Sequence, residues 1–366
     1  MSRITDLARP EIRALHAYVP ARYRDGLVRL NANEAPWQSA ADHTQRGLNQ
    51  YPEARPSVLT QTLAQHYGVA AEQLFVTRGT SEAIDLLIRC FCRPGIDEVV
   101  ICPPTFGMYE VYADIQNAAV RRISLLESAE FALPVDQILS YWHGTARLVF
   151  VTTPNNPTGH SLASADIIRL VEGLQERGIV VIDAAYIEFA DPSAIMALLR
   201  YDNVVILRTL SKAYGLAGAR CGSLIASPAV VELASKVMPP YAVPTPSTEC
   251  ALAALAEESF QVMPERIRAL CAARAELHAA LEQLPFVRRV WPSDANFLLV
   301  EFSAPQQVMQ AAEQAGLLLR DFSHQPATKG SLRITIGTEQ QNAALLATLE
   351  TLARRSDGDT GSTTSQ

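Results

Sequence analysis

The chain has 366 residues, 48% hydrophobic and 19% charged, a composition ordinary for a globular protein and long enough for two cores. Its formal net charge is −7, with no basic run or aromatic–basic stripe, which argues against nucleic acid and anionic membrane as partners. No apolar run approaches the ~20 residues of a membrane helix, and the opening "MSRITDLARPEIRALHAY" lacks the apolar centre of a secretion signal.

In chain order, "QLFVT" is a short apolar run followed by "RGTSEAIDLLIRCF", where Ile84, Leu87, Ile88 and Phe91 fall at helical spacing. "RLVFVTT" leads through "PNNPTG" into a second helix with Ile167, Leu170, Val171 and Leu174 on one face and Gly178 beyond its end. "IVVID" and "NVVILRT" are β-branched runs without polar alternation, the pattern of strands buried on both faces in a parallel sheet covered by helices. From about Val243 the character changes to a long helical pattern, "ESFQVMPERIRALCAARAELHAALEQL", and two short strands, "NFLLVEF" and "SLRITIG". The expected fold is α/β, with a large, mostly parallel sheet domain at 48–245 and a smaller α+β domain at 246–354. An N-terminal segment, 1–47, is expected to join the small domain, and a polar tail, 355–366, to be disordered.

Cys90, Cys92, Cys102, Cys221, Cys250 and Cys271 show no zinc spacing and read as reduced thiols of a cytoplasmic protein. The seven histidines show no ligand spacing either, so no metal site is expected; His16, near Tyr18, is the one placed closest to a site.

Ligands of open α/β sheets bind outside the carboxyl ends of the strands. One strand here leads to Asn155 and Asn156, a second ends on Asp183 with Tyr186 close behind, and a third ends on Thr209, Ser211 and Lys212. If these strands are neighbours, an amide, a carboxylate, a phenol and an amine share one crevice. The Gly79-Thr80-Ser81 turn opens a helix whose free amides suit a phosphate, and Arg220 adds a permanent cation. Pyridoxal phosphate needs such a set: a lysine for its aldehyde, a carboxylate for its ring nitrogen, an aromatic shelf and a phosphate cradle. Taken singly, Lys212 could be a surface cation and Asp183 a cap of the next turn.

"LNANE", "QYPE", "PPTFGMY", "PNNPTG", "DAAYIEF" and "TLSKAYGLAGAR" occur in that order. Together they resemble the fold-type I aminotransferases and, within them, the histidinol-phosphate aminotransferases, over nearly the whole chain except the tail. The resemblance implies that Lys212 binds the cofactor aldehyde and shuttles the proton, with Asp183 at the pyridine nitrogen and Asn156 and Tyr186 at the ring oxygen. Lys212, Asp183 and Tyr186 form the implied catalytic set. Phe106 is the implied stacking ring, and Gly79, Thr80, Ser81, Thr209, Ser211 and Arg220 the implied phosphate site. Tyr51 is implied to reach that phosphate across a homodimer interface. Tyr18, Asn33, Asn156, Arg320 and Arg333 are the implied substrate residues, for histidinol phosphate in one half-reaction and glutamate or 2-oxoglutarate in the other.

Three positions depart from the family pattern. Ala184 stands where relatives usually carry glutamate, Ser81 where they carry an acid or asparagine, and Phe106 where tyrosine is commoner. Aromatic-amino-acid aminotransferases and phospho-amino-acid lyases or decarboxylases are the nearest rivals. A non-catalytic module of the same fold is the remote one, since it would have no use for Lys212 and Asp183.

Overall fold

The β-branched runs form the centre of a seven-stranded sheet. The structure, a computed structural model, describes residues 3–21 and 27–360. The large sheet contains β1 (Leu74–Thr77), β2 (Glu98–Ile101), β3 (Ala119–Arg122), β4 (Ala146–Thr152), β5 (Ile179–Asp183), β6 (Val204–Thr209) and β7 (Gly222–Ala226), in the order β1-β7-β6-β5-β4-β2-β3. Strands β3, β2, β4, β5 and β6 pair parallel, while β7 is antiparallel to both β6 and β1.

The absence of polar alternation has the predicted consequence. Leu148 and Phe150 of β4, with Val181 of β5 and Leu207 of β6, face a cluster containing Ile84, Leu87 and Ile88 of the helix Thr80–Phe91. The intervening Val149, Val151, Ile182 and Ile206 face the opposite cluster, under the helices Ser57–Tyr67 and Ser164–Gly173. Both sheet faces are therefore buried, as a parallel sheet requires. Strands β2, β3 and β7 were not among the runs singled out in the sequence. The first two are four residues long, and β3 is an exposed edge.

The small domain is an antiparallel sheet of β8 (Val287–Val290), β9 (Phe297–Phe302), β10 (Arg320–Asp321) and β11 (Ser331–Thr335), ordered β10-β11-β9-β8. Its own core joins Leu277 and Leu281 of the helix Met263–Glu282 to Val300, Leu332, Leu345 and Leu349. The long helical pattern is broken into Glu257–Gln261 and Met263–Glu282, where Pro264 occupies the first turn of the second helix and cannot continue the first.

Three stretches near the expected boundaries pack as follows. Ile4 and Ala8 of the N-terminal segment pack into the cluster on the large sheet, where the small domain had been expected to receive them. Val243 and Ala251, on either side of the expected 245/246 boundary, pack into the other large-sheet cluster, which Trp291 and Leu299 also join. The last helix runs from Glu339 to Thr360, overlapping the stretch expected to be tail; residues 361–366 lie outside the described part. Cys90, Cys92, Cys102 and Cys221 are buried and all six cysteines are unpaired.

Candidate active site

Because β4, β5 and β6 are parallel neighbours, their carboxyl ends meet: Thr152 lies beside Asp183 in register, and Asp183 beside Leu207 two residues before Thr209. A cavity of about 150 Å³ at this edge is lined by Thr80, Ser81, Phe106, Asn156, Asp183, Tyr186, Thr209, Ser211, Lys212 and Arg220. A larger cavity, of about 650 Å³, lies between Tyr18, Arg55, Phe75 and Lys236. It too holds charges and hydroxyls (Glu53, Arg55, Lys236, Ser57 and Ser235), but only the smaller one joins Lys212 and the buried Asp183 to the start of the helix Thr80–Phe91.

Asp183 is 3% exposed. Its Oδ2 accepts a hydrogen bond from the Tyr109 hydroxyl at 2.8 Å and its Oδ1 one from the Ala185 amide at 3.2 Å. Burial pushes its carboxyl up to about 6, against the pull of these donors and of Lys212. Lys212 is exposed and lines the cavity opposite Asp183. Burial and then the Arg333 charge lower its pKa, while Asp183 acts the other way. The Lys212 amine lies 5.5 Å from the centre of the Tyr186 ring, and burial raises the Tyr186 phenol to about 12.

The phosphate-type corner depends on two glycines. Gly79 precedes the helix Thr80–Phe91 at φ +81, and a Cβ there would meet Arg220 Nη2 at 2.6 Å; a Cβ on Gly222 would meet the Thr80 amide nitrogen at 2.9 Å. Glycine thus lets a guanidinium close on the free amides of a helix N-terminus. Arg220 itself has φ 52, a conformation that costs a non-glycine residue energy. Its Nη1 donates to the Ala217 carbonyl at 3.1 Å. Thr209 Oγ1 and Ser211 Oγ stand 2.9 Å apart beside it. An N-terminal helix turn, a guanidinium and two hydroxyls opposite a buried carboxylate and an amine form a donor set that fits pyridoxal phosphate.

Arg333 reaches the rim from the small domain, its Nη1 donating to Asn156 Oδ1 at 2.5 Å; burial lowers its pKa. Arg320 faces Arg333 directly across the β10–β11 pair and is exposed. Tyr18, Asn33 and Tyr51 line no part of the 150 Å³ cavity of their own chain. Tyr18 lines the larger one, Asn33 is exposed with φ 56, and half-exposed Tyr51 stacks on Tyr241 at 4.9 Å. His16 is likewise exposed.

The sequence profile described as "Aminotransferase class I and II" matches residues 26–349. A histidinol-phosphate aminotransferase of Xanthomonas campestris pv. campestris is 44% identical over 353 residues, 95% of this chain and 97% of its own. The chain belongs to the histidinol-phosphate aminotransferase family. In fold it is similar to the histidinol-phosphate aminotransferase from Clostridium acetobutylicum (TM-score 0.77, 20% identity, 84% of this chain and 92% of that one). It is also similar to the one from Sinorhizobium meliloti in complex with pyridoxal-5'-phosphate (TM-score 0.75, 22% identity, 84% and 83%). This is the fold-type I architecture, and the cofactor of this aminotransferase is pyridoxal phosphate.

At the departures from the histidinol-phosphate aminotransferase pattern, the Ala184 methyl group sits in the apolar cluster with Ile182, Ile206 and Leu210. Ser81 and Phe106 both line the cavity. Three features had no signal strong enough to be singled out. Tyr109 and Thr152, which join Asp183, are a helix-face tyrosine and a strand-end threonine with no chemistry of their own in the sequence. The third is a buried ion pair behind the Lys212 loop: Arg208 Nη2 lies 2.9 Å from Glu188 Oε1, both side chains being 6% exposed. The Tyr67 ring covers the Arg208 guanidinium at 4.4 Å, and Tyr214, two residues after Lys212, meets His66 at 2.5 Å.

Among the described residues no group of histidines, cysteines and carboxylates could hold a metal, and no helix is long and apolar enough to cross a membrane.

Proposed function

We propose that the protein transfers an amino group between L-histidinol phosphate and 2-oxoglutarate, forming imidazole-acetol phosphate and glutamate. The observation that carries this reading is the convergence, in one cavity, of the buried Asp183 carboxylate, the Lys212 amine and the Arg220 helix-end cradle, in a chain of this family. Bound pyridoxal phosphate supplies an aldehyde for the amine and a ring that accepts electrons from the substrate carbon.

The residues divide the remaining work. Arg220, the amides of Thr80 and Ser81, and the hydroxyls of Thr209 and Ser211 would hold the phosphate, with Phe106 against the ring. Asp183 would face the ring nitrogen. Its position among apolar strand residues makes the carboxylate costly unless a cation or donors oppose it, which is how it would favour a protonated ring. Asn156 and Tyr186 would border the ring oxygen. Lys212, whose pKa burial and then the Arg333 charge lower, would take the proton from the substrate α-carbon and return it on the other side of the transfer. Arg333 and its cross-strand neighbour Arg320 would grip the carboxylate of one substrate and the phosphate of the other, since a guanidinium fork accepts either.

A homodimer belongs to this reading. Ten of the sixteen exposed large hydrophobic side chains among the described residues fall between Leu15 and Val58, with Val28 87% and Leu30 93% exposed. A second copy covering this stretch would hide it and could bring Tyr51 to the partner's phosphate corner. The unpaired cysteines suit a cytoplasmic compartment.

The test is an absorption spectrum of the purified protein. A visible cofactor band should decay when L-histidinol phosphate is added and return with 2-oxoglutarate. A band that ignores histidinol phosphate but responds to phenylalanine would sink the substrate. No band after adding pyridoxal phosphate would sink the enzyme reading. Sedimentation should find a dimer; a monomer at micromolar concentration would refute the shared site.

A further inference from the structure

We propose that Tyr109 is a positioning residue for the Asp183 carboxylate, ending a chain of hydroxyls that fixes which way that carboxylate points and ties it to the Phe106 ring. This rests on Asp183 being the partner of the cofactor ring nitrogen, as set out above.

The geometry is specific. Tyr109 lies on the helix Met108–Ile115, immediately after the turn bearing Phe106, and is 0% exposed. Its hydroxyl is 2.8 Å from Asp183 Oδ2 and 2.7 Å from Thr152 Oγ1, and Thr152 Oγ1 is 3.2 Å from Thr105 Oγ1. An ionised carboxylate only accepts, so the phenol must donate to Asp183. Its oxygen is then left to accept from Thr152, so the two hydroxyl hydrogens nearest the carboxylate point toward Asp183. Thr105 Oγ1 lies within reach of both Thr152 Oγ1 and Asn155 Oδ1. The ring is held as firmly as the hydroxyl: it stacks on Phe150 with centroids 4.7 Å apart and planes 13° apart, and meets Phe106 edge-on at 5.7 Å and 85°. One side chain thus touches both the ring that would stack on the cofactor and the carboxylate that would face its nitrogen.

The consequence is electrostatic. The titratable groups facing Asp183 are Lys212, Tyr186 and Tyr109, with the Arg333 charge acting on the first two. Burial favours the protonated acid and the Tyr109 donor opposes it. Removing the donor raises the folded carboxyl pKa, so protons compete with the cofactor at acid pH and stop competing once the pH is well above that value.

The experiment uses Tyr109→Phe, which keeps the ring. In cofactor-free protein carrying ¹³C-carboxyl aspartate, with the signal assigned by its loss in Asp183→Asn, the Asp183 titration should move up by about one to two pH units, the size of a hydrogen bond to a charged group. The dissociation constant for pyridoxal phosphate, relative to the unaltered protein, should rise about tenfold at pH 6 and less than about twofold at pH 8. Thr152→Val, which removes the donor behind the phenol, should shift both quantities in the same direction by less, and serves if Tyr109→Phe misfolds. An unmoved Asp183 titration, or an affinity loss equal at both pH values, would leave Tyr109 as packing only and overturn the proposal. If Asp183→Asn itself binds pyridoxal phosphate as well as the unaltered protein, the failure lies in the underlying assignment of Asp183.

Discussion

Glu188→Ala should destabilise the protein severely although Glu188 lines no part of the active-site cavity. Its carboxylate and the Arg208 guanidinium are both withdrawn from water, and Arg208 is further enclosed by the Tyr67 ring and Met196 Sδ at 3.6 Å. Burial drives the Glu188 carboxyl above its usual range. Burial opposes the Arg208 charge too, but the attraction of Glu188 more than offsets it, so the guanidinium stays charged. Two unit charges about 4 Å apart attract by ~4 kcal/mol at an effective dielectric constant near 20. Deleting one partner strands the other, at a cost of about 3–5 kcal/mol, a large share of a typical domain's stability. Urea denaturation of the cofactor-free protein at one fixed concentration measures this. Replacing both residues, as Glu188→Met with Arg208→Met, should recover most of the loss, because no lone charge remains. A single-variant loss below ~1 kcal/mol, or a double variant as unstable as the single one, would refute the reasoning. Tyr214 follows Lys212 by two residues and sits in the same cluster, so weaker cofactor retention should accompany the loss.

Gly79→Ala forces φ +81 on a residue with a Cβ and pushes Arg220 Nη2 from 2.6 Å; cofactor titration should show about tenfold weaker binding, with a stability cost of ~1–2 kcal/mol. Arg333→Lys replaces a fork by a point charge that cannot serve Asn156 and an anion together. The KM for 2-oxoglutarate should rise ~10–100-fold while the thermal midpoint barely moves. Burial, and then Arg208, lower His66 to about 4 from an ordinary 6.5. As pH falls, the unfolded chain binds this proton first, so stability is intact above about 6.5 and declines toward 4. Denaturation midpoints of His66→Gln across that range should show a flatter decline.

The strands that carry the site were legible because their signal is local. Unbroken β-branched runs ending on Asp183 and on Thr209 need no knowledge of the rest of the chain, and the turns after them place their polar residues at one sheet edge once the strands pair in parallel. The helix Thr80–Phe91 was legible from its period and Gly79 from its place before it. Where the start of the chain packs was not legible, because Ile4 and Ala8 carry no mark of which sheet they will cover. The contacts of Asp183 were hidden for a related reason. Tyr109 lies 74 positions from Asp183, and the two meet because the helix after β2 packs over β4 beside β5. Arg208, on β6 between Leu207 and Thr209, likewise turns away from the cavity and pairs with Glu188 of the turn after β5. Strand and helix identity follows from each segment's own side chains and backbone. Which phenol donates to which carboxylate, and which charge is buried against which, follows from crossovers and sheet order, and only the tertiary structure decided these.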